Sequence, residues 1–121
     1  MNKMDNKEFG KILERRTRDF AILVIRLCAI LPNTPEARVI REQLTKSGTS
    51  MGANYREANR SRSKADFKNR IAICESEASE TEYWLDLLIH LEWIPREKIR
   101  EVYRECGELL AIFTAIGKKC K

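Results

Sequence analysis

The sequence contains little glycine and proline: five glycines and three prolines in 121 residues. The prolines fall in two short segments, so long stretches carry no residue that would interrupt a helix. Strand-like alternation of apolar and polar residues is also missing, and so are internal repeats and low-complexity tracts. These absences leave long stretches free to be helical and predict an all-α protein.

Histidine is nearly absent. His90 is the only one, and Leu87 stands three positions before it, so the Glu-x-x-His motif of di-iron bundles is missing. A surface histidine that pairs with Asp86 is the simpler interpretation. A nucleophilic site would need an imidazole beside a serine or cysteine, and nothing marks such a partner. We therefore expect no cofactor, no metal and no enzymatic activity; a ligand-gated or metal-binding bundle is the weakest candidate.

Cysteines are few and widely separated, without the Cys-x-x-Cys spacing of zinc sites. Three of the four fall on apolar helical stripes, which indicates buried, reduced thiols and suits a reducing compartment. These three are Cys74, Cys106 and Cys120; the fourth is Cys28.

Long hydrophobic runs are also missing. The most apolar window, residues 20–31, is shorter than the ~20 residues that a membrane span needs, and Arg26 interrupts it. Residues 1–8 are polar and lack the apolar region of a signal peptide. We therefore predict no membrane partner and a cytoplasmic location.

Apolar residues recur at steps of three and four, which predicts four amphipathic helices. A chain of 14.1 kDa fits one domain, here residues 1–121. Because the connectors are short, neighbouring helices should run antiparallel, as an up-down-up-down four-helix bundle. The expected helices span about residues 7–31, 35–59, 64–91 and 95–117.

The second predicted helix contains two glycines, Gly48 and Gly52. Each costs about 1 kcal/mol relative to alanine inside a helix, so something must offset them. They are four residues apart and share a face, which would let another helix approach closely. The alternative is a break between two shorter helices.

Basic residues outnumber acidic ones by 23 to 18, for a net charge of +5. The charges are segregated: a basic cluster is followed by residues 71–93, which hold six acids and no lysine or arginine. A cluster of this kind suits the phosphates of nucleic acid, because cations bound to phosphates release counterions. The candidate contacts are Arg56, Arg60, Arg62, Lys64, Lys68 and Arg70, with Lys118, Lys119 and Lys121 as secondary ones in a frayed tail after Gly117.

Other interpretations of the basic cluster stay open. It can be a solvated helix start, or an ionic partner for the acidic stretch of a neighbouring subunit. Arg62 can instead be structural and pair with Glu57. Stacking on single-stranded bases is not predicted, because the nearby aromatics, Tyr55 and Phe67, both lie on apolar stripes.

Two segments, 47–67 and 77–85, resemble the bacterial four helix bundle protein family. This family was noticed in reading frames of ribosomal RNA intervening sequences, and it is related to the accessory variability determinant proteins of diversity-generating retroelements. The resemblance extends over about residues 8–117. The positions that carry it are Ala53, Asn54, Tyr55, Glu57, Ala58, Arg62, Ser63, Asp66, Phe67, Glu80 and Leu85.

The resemblance implies a bundle that assembles as a ring, commonly a homopentamer with a central pore, and it transfers no catalytic residues. Retroelement members are thought to bind nucleic acid and the reverse transcriptase. We therefore predict a non-enzymatic, homo-oligomeric scaffold that binds RNA or DNA, with a reverse transcriptase as a further partner. The alternative is a protein-interaction scaffold without a nucleic-acid role. A ring would explain apolar residues beside or opposite the third helix's stripe: Ile73, Trp84, Leu87 and Leu91.

Overall fold

Four α-helices form the regular structure of the chain. The structure, a computed structural model, describes residues 6–120. The helices are α1 (Asn6–Ala29), α2 (Pro35–Ala58), α3 (Lys64–Leu91) and α4 (Glu97–Lys119). No strand occurs in the described residues, so the all-α prediction is confirmed. None of these helices combines the length and hydropathy that crossing a membrane requires.

The helix starts follow from side-chain caps. The Thr34 hydroxyl accepts a hydrogen bond from the Ala37 N–H, and Pro35 occupies the first turn of α2, where no N–H partner is needed. The Ser63 hydroxyl accepts from the Asp66 N–H at the start of α3. Each cap satisfies a backbone donor that the helix itself leaves without a partner.

The end of α1 lies two residues before the predicted position. Beyond Ala29, the N–H groups of Ile30 and Leu31 donate to carbonyls only three residues back. The last turn is therefore tightened ahead of Pro32, which cannot continue the ladder. Arg41 of α2 donates to the carbonyls of Cys28, Leu31 and Pro32, and so caps this end.

The prediction that Gly117 ends the fourth helix and leaves a frayed tail is wrong. No glycine in the described residues has a positive φ, and α4 continues to Lys119. Gly117 therefore keeps helical geometry, and a Cβ there would lie 3.9 Å from Ile71 of α3, an ordinary contact distance. Lys118 and Lys119 therefore belong to the last turn of α4. Lys121 lies outside the described residues.

The four helices pack in chain order around one core, and α4 closes the bundle against α1. Contacts between α2 and α3 join Ser47 to Thr81 and Met51 to Cys74, so residue numbers fall in α3 as they rise in α2. The same antiparallel relation holds between α3 and α4. The predicted antiparallel bundle is confirmed, and it puts connector 59–63 at the same end as the start of α1 and the end of α4.

A close approach of α1 and α2 explains the two glycines of α2. The helix is continuous from Pro35 to Ala58, so the alternative of a break is excluded. A Cβ on Gly48 would lie 2.9 Å from both methyl groups of Val24, and one on Gly52 would lie 3.1 Å from the Cβ of Thr17. The glycines therefore allow backbones to approach where a larger residue would collide.

Ion pairs between side chains join α1 to α4. Arg16 donates to both carboxylate oxygens of Glu105, at 2.7 and 2.8 Å, and to Glu108 at 2.7 Å. The two carboxylates raise the pKa of the Arg16 guanidinium. A planar guanidinium suits this bidentate geometry better than an ammonium group does.

The thiols are buried as predicted, with one correction. Cys74 and Cys106 lie in the core, and burial raises the pKa of each thiol to about 12 from an ordinary 9.0. Cys28 is also buried, although the predicted stripe omits it. Cys120 is only half-buried, because it lies beyond the last turn of α4, where fewer side chains cover the stripe.

We expect Gly48→Ala to lower the free energy of unfolding by about 1 kcal/mol, because crowding against the stiff Val24 outweighs the gain in helix propensity. The matched control is Gly107→Ala in α4, where a new Cβ would meet only a carboxylate oxygen of Glu82 at 3.7 Å. That change should raise stability by about 0.5–1 kcal/mol. Urea denaturation measures both. Adding Val24→Ala should abolish the cost of Gly48→Ala; a cost that persists would contradict the packing explanation.

We expect stability to be independent of these thiols below about pH 9 and to fall between about pH 9 and 12. The sign follows from the raised pKa of Cys74 and Cys106: the unfolded chain ionises them near 9.0, while the folded chain keeps them neutral.

At pH 8 the thiolate populations of Cys74 and Cys106 should be about a thousandfold below that of an exposed thiol. Reaction with a disulfide reagent should therefore label Cys120 first. Rapid labelling of Cys74 in the native protein would contradict this.

Candidate nucleic-acid interface

Most of the predicted cations gather at one end of the bundle. The connector between α2 and α3 meets the end of α4 there, so Arg62, Lys64 and Lys119 line one shallow cavity together with Ser61 and Phe67. Residues more than fifty positions apart in sequence are thus neighbours. We call this surface the basic end, and it consists of Arg60, Arg62, Lys64, Lys118 and Lys119.

The cations of the basic end are exposed and available. Within residues 6–120, none of them has a carboxylate within ion-pair distance. The alternative pairing of Arg62 with Glu57 is therefore wrong, because both side chains point into solvent without a contact. Arg56 and Lys68, one helical turn away on either side, are equally exposed and unpaired in the described structure.

Arg70 differs from the other predicted contacts. Its side chain is partly buried, one Nη lies 3.4 Å from the Asn54 Oδ1, and its Nε lies 4.0 Å from the Asp66 Oδ1. These contacts turn the guanidinium toward α2 and along its own helix. The structure therefore separates Arg70 from the group that faces solvent.

Three further cations escape the sequence-based prediction. Lys11, Arg15 and Arg18 lie on the outer side of α1, and the antiparallel packing brings them beside Arg56 of α2. Their spacing of four and three residues marks one helical face, which is visible in the sequence. Their proximity to Arg56 is not visible, because it depends on the register between the two helices.

The aromatic residues near the basic end are not equally enclosed. Tyr55 is buried and its ring lies 5.6 Å from that of Phe113, as expected for a core residue. Phe67 is half-buried and Phe9 is 38% exposed; both line a cavity with Lys119. Phe67, which the sequence places on an apolar stripe, is therefore only partly buried.

The acidic stretch of α3 is partly engaged. Burial, and then the nearby Glu80, raise the pKa of Glu77, which also contacts Ser50. Glu80 accepts a hydrogen bond from the Trp84 indole N–H, and Glu75 accepts one from the Thr114 hydroxyl. These carboxylates are therefore involved in helix contacts rather than grouped for chemistry.

His90 is a surface residue, as predicted. Its Nδ1 lies 2.9 Å from the Asp86 backbone carbonyl and 3.6 Å from the Asp86 carboxylate. Across residues 6–120, no three metal-ligating side chains of the His, Cys, Asp or Glu type come together.

Large apolar side chains remain in contact with water on the outside of the bundle. Tyr83 is 55% exposed and Ile73 41% exposed on α3, while Trp84 and Leu87 are half-buried. Single exposed apolar residues are ordinary, but here they occur on three of the four helices. The exposed set comprises Phe9, Ile22, Ile25, Ile30, Val39, Ile73, Tyr83 and Leu91.

Comparison with known proteins identifies relatives over most of the chain. The model of a family described as "23S rRNA-intervening sequence protein" matches residues 12–115. A crystal structure from Bacteroides thetaiotaomicron, described as a protein with unknown function from the S23 ribosomal protein family, has 39% sequence identity and a TM-score of 0.80. The match covers 87% of this chain and 97% of that one. No curated protein matches the chain.

Proposed function

Because the chain belongs to the 23S rRNA-intervening sequence protein family, we propose that it is a non-enzymatic helical scaffold that binds RNA through its basic end. The observation that supports this most directly is the concentration of exposed cations without carboxylate partners around connector 59–63. The family description names an RNA, and the related crystal structure is assigned to a ribosomal protein family. The experiment below compares RNA with DNA to determine which of the two the protein prefers.

The proposed binding is electrostatic and does not depend on base sequence. A cation that contacts a phosphate releases a condensed counterion, so affinity falls linearly with salt on logarithmic axes. Solvated cations such as Arg60 and Arg62 need to break no ion pair before they bind. Arg70, by contrast, is already occupied by Asn54 and Asp66, and we assign it a structural role.

We further propose that the scaffold is a homo-oligomer, with a pentameric ring as the form that the resemblance implies. The support from the structure is the apolar surface that one bundle leaves in water, such as Ile73 and Tyr83 of α3 and Ile22 and Ile25 of α1. Burying such residues between copies would be favourable at roughly 25 cal/mol per Å² of apolar area. The reverse transcriptase partner and the cytoplasmic location stay predictions.

A second candidate is a protein scaffold without a nucleic-acid role. The segregation of charge favours it: residues 71–93 contain six carboxylates and no lysine or arginine. The basic end of one copy could then pair with α3 of the next. This candidate predicts that neutralising the basic end changes the subunit count rather than RNA affinity.

We expect the triple change Arg60→Gln, Arg62→Gln and Lys64→Gln to weaken RNA binding by roughly a hundredfold or more at 50 mM salt. Loss of three phosphate contacts should also lower the logarithmic salt slope by about 2. Fluorescence anisotropy with a labelled single-stranded RNA of mixed sequence measures both, and DNA of the same sequence tests the preference. The control, Lys98→Gln, Arg100→Gln and Arg104→Gln, removes the same charge from the part of α4 nearer its start, away from the basic end.

Sedimentation of the same variants separates the two candidates. Unchanged affinity together with an unchanged mass would refute the assignment of the basic end. A reduced subunit count in the basic-end variant alone would favour the protein scaffold.

A further inference from the structure

A groove of about 490 Å³ runs between the outer surfaces of α1 and α2. Its walls carry basic side chains from both helices, and its floor is made of small residues. We call it the α1–α2 groove, and its lining consists of Lys11, Glu14, Arg15, Thr17, Arg18, Gly52, Ala53 and Arg56.

The charge of this groove is strongly positive. Four cations line it against one carboxylate, that of Glu14, which already accepts a hydrogen bond from the Asn59 amide at 2.8 Å. In the described structure, Lys11, Arg15 and Arg56 have no ion pair, and Arg18 pairs only with its neighbour Asp19. Both members of that pair are 64% exposed, so water and salt weaken it.

The floor of the groove consists of small residues. At Gly52 the two helices pack so closely that a Cβ would lie 3.1 Å from the Thr17 hydroxyl oxygen, and no side chain rises from the floor there. Ala53 adds only a methyl group, and its side chain is exposed. No long side chain therefore covers the floor, while the cations of α1 and the guanidinium of Arg56 stand on either side of it.

The spacing of the α1 cations suits a chain of phosphates better than a single anion. At 1.5 Å per residue, Lys11 and Arg18 are separated by about 10.5 Å along the helix axis, with Arg15 between them. Each strand of duplex DNA carries one phosphate per about 3.4 Å of axis, so neighbouring phosphates of a nucleic-acid strand lie closer together than the ends of this row. The row of cations can therefore contact more than one phosphate of the same strand.

We propose that the α1–α2 groove holds the phosphate backbone of an RNA strand and continues the contact surface of the basic end. Arg56 links the two, because it lines the groove and lies one helical turn before Arg60. This inference rests on the proposed function and adds Lys11, Arg15 and Arg18 as contacts. A subunit interface fits the groove less well, because the centres of protein interfaces are depleted of charge and the lining here contains no large apolar residue.

Two variants at one exposed position test the proposal. Ala53→Glu places a carboxylate in the groove, whereas Ala53→Gln places an uncharged group of the same size there. Both residues are good helix formers, so the bundle should fold in either case. With a labelled single-stranded RNA at 50 mM salt, we expect Ala53→Glu to bind about tenfold more weakly than Ala53→Gln, and the difference to shrink at 300 mM salt.

A charge-removal variant supplies an independent measurement. The change Lys11→Gln, Arg15→Gln and Arg18→Gln should lower the logarithmic salt slope by about 2, as expected for three lost contacts to a single strand. The α4 control with changes at Lys98, Arg100 and Arg104 removes equal charge and should lower it less.

Each result separates this inference from the proposed function. If wild-type protein binds RNA, the basic-end variant is weakened and the groove variants are not, the groove proposal is overturned and the proposed function stands. Equal weakening by Ala53→Glu and Ala53→Gln would also overturn it, since bulk rather than charge would then be responsible. A change in subunit mass in the groove variants would identify a subunit contact instead. Failure of the wild-type protein to bind RNA would refute both proposals.

Discussion

The helices α1 and α2 pack so closely that an added methyl group at Gly48 would collide with Val24, and one at Gly52 would crowd Thr17. The contact fixes the register of the two helices as well as their separation. With that register, Arg56 lies opposite the cations of α1, and the start of α1 lies beside connector 59–63. Both proposed RNA-contacting surfaces therefore depend on the absence of a side chain at Gly48 and Gly52 of α2. The cost in helix propensity is offset by packing that a larger residue would prevent.

Charge is distributed according to what each side of the bundle contacts. Where α1 meets α4, Arg16 is bound by two glutamates and stabilises a helix pair. Around the basic end and along the α1–α2 groove, the cations have hardly any acidic partners in the described part of the chain. On α3 the carboxylates are shared with Ser50, Trp84 and Thr114. Some arginines thus join helices and others face solvent, and only their neighbours in space distinguish the two groups.

Much of this arrangement could be predicted from the sequence. Helix number and the caps at Thr34 and Ser63 follow from local rules, because each depends on residues within one or two turns. The continuity of α2 does not, because it depends on the packing of Gly48 and Gly52 against α1. A glycine near a helix end usually adopts left-handed geometry, but Gly117 stays helical and α4 continues to Lys119. The groove could not be predicted, because its walls come from helices about forty residues apart. The lack of an ion-pair partner for Arg62 in the described residues likewise could not be predicted from the sequence.

The capping of α1 by Arg41 bears on the order in which the molecule forms. This guanidinium spans the connector and binds three carbonyls at the end of α1, while Thr45 contacts the Cys28 sulfur nearby. The hairpin of α1 and α2 is therefore held by contacts close in sequence, which form early and cheaply in loop entropy. During synthesis it emerges from the ribosome before α3 does. A nascent chain that forms this hairpin would therefore carry the lining of the α1–α2 groove before α3 and α4 are complete.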